Sequence, residues 1–378
     1  MMMHSIARQI AGAALLACTL SVSAAPGPAL ASTAPLQIEL IVRTVNNFTE
    51  RDEVNRFFER AHRSGVTTVY LNVKQDEDDE RPSGQVYYAS KIASIAAGYE
   101  HFDALAAAVD EAHRHDIKLI AWMPQFHDQM AARAHPGWQM TAKKNGVATA
   151  YTGKRSVEYF VNPIDPEVQA YETSLVLEVV SNYAVDGVAL DWLRFDDINM
   201  DVGPVTRALA KDQLGIDPIT LDFDQPSAAT RRWQVWRAAK IGAYTRQLRE
   251  RMHAVRPSVR LTAFVLPPEF TEVGQNLAEF SNDLDEVLPM AYFKDWNFAS
   301  SWVGGRLMQD VERKRTRHTI VKPTLDGTGT TEQNVAILAD LRKKYPGVSS
   351  VAWFSAVYWQ PQQIDRIVAI HQRAAATR

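Results

Sequence analysis

Cysteine is nearly missing from this 378-residue chain: Cys18 stands alone, so neither a disulfide framework nor a cysteine-ligated metal can form. The 10 histidines are scattered and no His-Glu-x-x-His pair occurs, so a zinc hydrolase would lack its ligands and no metal is expected. A Gly-rich dinucleotide fingerprint and a P-loop are also missing, which argues against nicotinamide and nucleotide enzymes; no cofactor is expected. Nor is there an excess of one charge. With 41 Lys and Arg against 44 Asp and Glu, the net charge of −3 offers no basic surface to a phosphate backbone, and a nucleic-acid partner is not expected. No apolar run reaches the roughly 20 residues that cross a bilayer, so no transmembrane segment is expected. Low-complexity tracts and 20–50-residue repeats are lacking, which removes solenoids and propellers. What is present is an ordinary globular composition, 46% hydrophobic and 22% charged, sufficient for a large core.

The first residues have the layout of a secretory signal. His4 and Arg8 precede an apolar run from Ile10 to Val22, and small residues with Pro26 and Pro28 lead to Ser32. Cleavage fits after Ala24 or Ala31; taking Ala31, the leader is residues 1–31 and the product is periplasmic or secreted, in a bacterial cell envelope. Leu15-Leu16-Ala17-Cys18 gives a second reading, a lipid anchor at Cys18, but the apolar run continues past Cys18 where a lipobox would stop. Cleavage at either alanine leaves a chain with no thiol.

From Leu36 onward, β-branched runs alternate with helix-patterned segments, the mark of a parallel sheet with crossover helices. Eight strands are expected: Gln37–Val45, Thr67–Val73, Lys118–Met123, Gly187–Leu193, Arg260–Leu266, Glu286–Phe293, Thr319–Leu325 and Ser350–Val357. Eight βα units in about 340 residues predict a single-domain (β/α)8 TIM barrel, α/β in class, over residues 36–376. Asp165-Pro166-Glu167 combines an N-cap, a pre-set first turn and a dipole-favoured carboxylate ahead of a helix carrying Val168, Tyr171, Leu175 and Val179. Long loops are expected at Gln75–Gly98 and Asp196–Ala229, both leaving the C-terminal ends of strands, where barrel enzymes place their sites.

The fourth strand reads Gly187-Val188-Ala189-Leu190-Asp191-Trp192. Alternation puts Gly187, Ala189 and Asp191 on one face, and the small residues suit the crowded barrel interior, so Asp191 faces inward at the rim. The structural alternative is an ion pair with Arg194 or Lys74. Glycoside hydrolysis needs two carboxyl groups. Candidates for the second are Asp295, Glu269 and Asp326 at other strand ends, with Asp295 ranked first because it lies between Tyr292 and Trp296. Sugar rings present an apolar face to aromatic platforms. Trp122, Trp192, Tyr292, Trp296, Tyr358 and Trp359 stand late on their strands, and His127 follows the third as a hydrogen-bond donor. The acidic run Asp76-Glu77-Asp78-Asp79-Glu80 could hold Ca²⁺ or cationic amino sugars, but it lacks the glycine and spacing of a calcium loop and reads first as a solvated loop.

The motifs Arg43-Thr44-Val45-Asn46, Tyr70-Leu71-Asn72-Val73-Lys74, Ile120-Ala121-Trp122-Met123, Asn162-Pro163-Ile164-Asp165-Pro166-Glu167-Val168 and Val185-Asp186-Gly187-Val188-Ala189-Leu190-Asp191 follow one another along the chain, with Asp285-Glu286-Val287-Leu288-Pro289-Met290-Ala291-Tyr292 on strand six. In this order they resemble the bacterial glycosyl-hydrolase-like family 10. A looser similarity is to the C-terminal hydrolase domain of periplasmic poly-N-acetylglucosamine deacetylases. The resemblance runs from about Gln37 to Trp359. It implies a TIM barrel of the cell envelope acting on a carbohydrate polymer or oligosaccharide, possessing the strand-four acid at Asp191 and, on the matching strand ends, Arg43, Asn46 and Lys74 as substrate contacts. Two departures stand out. Where the family shows two consecutive acids, this chain has Asp191-Trp192, and its Trp-Arg-Arg-Asp-Asn pattern is here Trp236-Arg237-Ala238-Ala239-Lys240. The expected function is a glycosidase, a two-carboxylate hydrolase acting on a polysaccharide, with Asp191 as nucleophile or electrostatic stabiliser and Asp295 as acid/base. The rival is a non-catalytic carbohydrate-binding barrel.

Overall fold

The computed structural model describes residues 34–76, 82–153, 159–355 and 359–377. The expected leader, Cys18 and Tyr358 lie outside the described residues. Parallel strands β1 (Gln37–Arg43), β2 (Val66–Asn72) and β3 (Lys118–Pro124) are followed by a short hairpin, β4 (Thr141–Lys144) and β5 (Val147–Ala150). The parallel set resumes with β6 (Gly187–Asp191), β7 (Arg260–Val265), β8 (Glu286–Pro289), β9 (Ile320–Val321), β10 (Thr324–Leu325) and β11 (Ser350–Phe354). Their order is β10-β11-β1-β2-β3-β6-β7-β8-β9, a curled TIM-like α/β sheet.

The seam of this sheet has a simple cause. The expected seventh strand, Thr319–Leu325, is present as two short pieces, because Pro323 has no N–H to give to a ladder. Its first half pairs with Glu286 and Val287 of β8, and its second with Ala352 and Trp353 of β11. Lys322 N still donates to Val287 O at 2.9 Å, and Ala352 N to Pro323 O at 3.0 Å, so hydrogen bonds continue on both sides of the break. The sixth strand stops at Pro289, short of the expected Phe293. The first stops at Arg43, before a helical turn at Thr44–Asn47.

Inside the sheet, Ile41, Tyr70, Ile120, Trp122, Ala189, Phe264, Leu288 and Ala352 form one buried cluster. Ala189 is among them, as strand alternation requires. A Cβ at Gly187 would lie 2.9 Å from both Arg260 O and Ile120 Cδ1, so only glycine allows β6 this close to β7. The opposite, N-terminal end is polar but sealed. Lys322 Nζ sits 3.1 Å from Glu39 and 3.0 Å from Glu286, Tyr70 donates to Glu39 at 2.8 Å, and Arg260 meets Glu286 at 2.6 Å. Matched charges compensate one another there, and Met290 and Phe354 border the interior cluster at the other end.

The helix expected after Asp165 runs Pro166–Asn182, and the Asp165 carboxylate accepts from Glu167 N at 2.9 Å. One sequence expectation is corrected and one element is new. The connection Asp196–Ala229 is not one loop: it contains the helix Pro204–Leu214, with proline at its start and Gly215 at φ 66° closing it. Hairpin β4–β5 was not foreseen, although Asn145-Gly146 is a strong two-residue turn signal, and both residues have positive φ (51° and 81°).

Candidate active site

At the C-terminal end of the barrel strands lies a cleft of about 540 Å³. Arg43, Trp122, Asp191, Trp192, Tyr292, Asp295 and Trp296 all line it, although they come from four different strand ends. Asn46, Lys74, His127 and Trp359 do not. Asn46 is exposed on the helical turn after β1. Lys74 is fully buried, 2.9 Å from Asp128 and 2.8 Å from Glu172, and cannot reach a ligand. His127 is buried under Trp192, ring centroids 4.7 Å apart, and burial pushes its pKa down to about 4, so it is neutral. Trp359 turns its indole N–H to Ile41 O at 2.9 Å, on the outer side of β1.

Asp191 ends β6 with 9% of its surface exposed. Neither structural ion pair foreseen for it forms among the described residues: Lys74 is taken by Asp128 and Glu172, and Arg194 meets Asp196 at 3.1 Å. Asp191 Oδ2 accepts the indole N–H of Trp122 at 3.1 Å, and Oδ1 accepts Trp192 N–H at 2.8 Å. Burial, and after it the charge of Asp76, raise its pKa to about 6, and the two N–H donors only partly offset this.

The residue after it is strained. Trp192 has φ 51°, in the left-handed region that a tryptophan rarely adopts. Strand alternation would send this side chain to the helix side, and the backbone turn brings it to the cleft wall. His127 covers one ring face, and Arg194 lies 4.2 Å from the ring centroid. Strain of this kind gathers at functional sites, where the surroundings over-determine it.

Opposite, Tyr292 and Trp296 have ring centroids 5.4 Å apart, with Phe270 5.2 Å beyond Trp296 and Phe354 stacked on Tyr292 at 5.7 Å. Asp295 is exposed at this rim, and its pKa is raised, by desolvation first and then by Asp326. The other candidates for a second carboxyl do not line the cleft. Glu269 is held by Arg306 at 2.5 Å and by the Trp302 indole N–H at 3.1 Å. Asp326 lines a separate small cavity with Gly327, Trp353 and Trp359.

Two lining acids were not among the expected site residues. Asp76 is 1% exposed and pairs with Arg43 at 2.9 Å; Arg43 in turn lies 5.0 Å from the Trp122 ring centroid. Asp196 accepts from Tyr151 and pairs with Arg194. Among the described residues no group of acids and histidines could hold a metal ion. A carboxyl with a raised pKa, further acids around it and an aromatic wall suit the protonation and displacement of a sugar–oxygen bond.

The fold and this cleft define a glycoside-hydrolase-like barrel. The chain belongs to the family described as Glycosyl hydrolase-like 10, whose model matches residues 40–302. Among curated relatives, the glycosyl hydrolase DigH of Escherichia coli is 31% identical over 154 residues, 38% of this chain and 34% of that protein. An S-layer-related protein of Niallia circulans is 23% identical over 261 residues, 58% of this chain and 16% of its own length. The chain thus spans only a minor part of both relatives. Among solved structures, the PgaB (BpsB) glycoside hydrolase domain from Bordetella bronchiseptica superposes with TM-score 0.68 at 17% identity, covering 91% of this chain and 98% of that one. A β-galactosidase from Marinomonas ef1 gives TM-score 0.61 at 11% identity, covering 89% and 59%. At these identities the structural likeness concerns the fold.

Proposed function

We propose that this protein is an exported glycoside hydrolase that cleaves a polysaccharide or oligosaccharide with Asp191 and Asp295 as its two carboxyl groups, on an aromatic rim of Trp192, Tyr292 and Trp296. The observation that carries this reading is Asp191 itself: buried, oriented by two N–H donors, raised to about 6 and open to the cleft. Burial favours the reverse of the roles expected from sequence. With both oxygens already accepting an N–H, a proton on Asp191 has the cleft as its remaining direction, toward the leaving glycosidic oxygen. Asp191 is therefore the proton donor. Asp295 is the carboxylate that attacks the anomeric carbon or takes a proton from the water that does. Ionised Asp295 together with protonated Asp191 is the productive form.

Export in this reading assigns residues 1–31 to the leader and 36–376 to the barrel. Its support is the leader-like sequence and the S-layer-related relative; among the described residues no helix is long and apolar enough to cross a membrane. Incubation with a panel of neutral and amino-sugar polysaccharides tests the function, with release of new reducing ends as the readout. Release that grows with time and enzyme supports a hydrolase. Binding to a polysaccharide with no release from any panel member would assign the barrel to carbohydrate binding without catalysis.

A further inference from the structure

Arg237 stands on the helix Ala228–Val255, outside the cleft wall and with none of its surface exposed. Its acceptors among the described residues are three backbone carbonyls: Nη1 donates to Asp197 O and to Met200 O, and Nη2 to Glu272 O, each at 2.6 Å. The rings of Phe195 and Trp233 flank the guanidinium, with centroids 4.7 and 5.4 Å from Cζ. Burial pushes its pKa down to about 9, so it is still charged at neutral pH. The carbonyls belong to two separate loops. Asp197 and Met200 lie on the one after β6, whose Trp192, Arg194 and Asp196 line the cleft; Glu272 lies on the one after β7, whose Phe270 and Val273 line it. Between Arg194 and Asp196, Phe195 is buried against the guanidinium. The loops also meet directly: Phe195 N donates to Val273 O at 2.8 Å, and a Cβ at Gly274 would lie 2.7 Å from the Phe195 ring. One turn before Arg237, the Trp233 indole N–H donates to Ile198 O at 2.9 Å.

We propose that Arg237 is a positioning residue whose guanidinium fork ties the loop after β6 to the loop after β7 from behind, and so fixes the cleft wall that carries Trp192, Arg194 and Asp196. This rests on the reading of the cleft as the place where sugar is cleaved. A buried charge is costly unless its donors are met, and here they are met by carbonyls that the fork alone brings together. Two nitrogens on one rigid plane serve the acceptors of both loops, where a lysine would bring a single nitrogen. The loop after β6 begins directly behind Asp191, and Trp192 N–H donates to the Asp191 carboxyl at 2.8 Å. At φ 51°, Trp192 keeps an unfavourable backbone conformation only while its surroundings enforce it. Loosening the loop therefore reaches Asp191 through Trp192, although Arg237 does not line the cleft.

The test is fluorine NMR of the full chain carrying 5-fluorotryptophan, with the Trp192 and Trp359 resonances assigned by their loss in Trp192→Phe and Trp359→Phe. In Arg237→Met the Trp192 resonance should shift or broaden, while that of Trp359, on the outer side of β1, stays in place. Arg237→Lys keeps the charge on one nitrogen and should fall between Arg237→Met and the wild type. On a polysaccharide that the wild type cleaves, kcat/KM should follow the same order and be lower by roughly 10–100-fold in Arg237→Met. Should Arg237→Met not fold, Arg237→Lys against the wild type decides. A Trp192 resonance that stays in place in a folded variant, or that moves only together with Trp359, would overturn the tie, whatever the loss of stability. A moved Trp192 resonance with wild-type kcat/KM would overturn the positioning role. The resonances need no substrate, so a wild type that cleaves no panel member sinks the hydrolase reading while the tie is still decided by Trp192.

Discussion

The indole N–H of Trp122 meets Asp191 Oδ2 at 3.1 Å, so the third barrel strand sets the direction of the carboxyl that ends the fourth. The same indole lies under the Arg43 guanidinium, and Arg43 holds Asp76. Three neighbouring strand ends therefore converge on one acid, and their effects on it differ in sign.

The first consequence is a pH profile. Asp191 as donor must keep its proton, and its pKa is raised to about 6. We expect kcat/KM to be highest in mildly acid solution and to fall roughly tenfold per pH unit above about 6, because kcat/KM follows the ionisation of the free enzyme. Initial rates between pH 4 and 9 check this. A plateau that continues to pH 8 would contradict the assigned role.

Replacing its two neighbours should move that limb in opposite directions. Asp76 disfavours the ionised form of Asp191, so Asp76→Asn shifts the limb to lower pH. The Trp122 N–H favours the ionised form, so Trp122→Phe shifts it to higher pH while retaining most of the ring packing against Phe264. The lost orientation should also lower kcat roughly tenfold or more in Trp122→Phe. Movement of both limbs in the same direction would count against this electrostatic account.

These neighbours also show what the sequence made legible. Asp191 was readable because a strand has period 2, and Gly187 and Ala189 mark its crowded face. Asp76 was not, because it opens a run of acids that looks uniformly solvated, and only the fold turns its first member toward Arg43. Lys74 and His127 follow strand ends just as Arg43 and Trp122 occupy them. Yet Asp128 and Glu172, distant in sequence, enclose the first, and Trp192 covers the second. Trp192 reached the cleft by a left-handed backbone turn that no pattern announces, whereas Asn145-Gly146 and the Pro204–Gly215 helix bounds were signals available to be read.

Lys74 gives a stability prediction. Lys74→Met leaves Asp128 and Glu172 buried without their cation, and we expect a loss of about 3–5 kcal/mol in a urea melt. KM in the surviving folded protein should stay within a factor of two or so, roughly the noise of such a comparison. A large KM effect without destabilisation would return Lys74 to the substrate.

The two late tryptophans should separate in the same way. Trp296→Ala removes an aromatic platform from the cleft wall and should raise KM roughly tenfold. Trp359→Phe removes the hydrogen bond to Ile41 O and should cost about 1 kcal/mol of stability with KM unchanged. Equal KM effects from both would place Trp359 in the binding surface.

The most direct measurement is turnover by Asp191→Asn on whichever polysaccharide the wild type cleaves, with affinity for that polymer measured beside it. The asparagine keeps the shape and the acceptor oxygen for Trp192 N–H but has no proton to give. We predict kcat lowered by roughly 10²–10⁴-fold with binding retained. Wild-type turnover by Asp191→Asn would contradict the account.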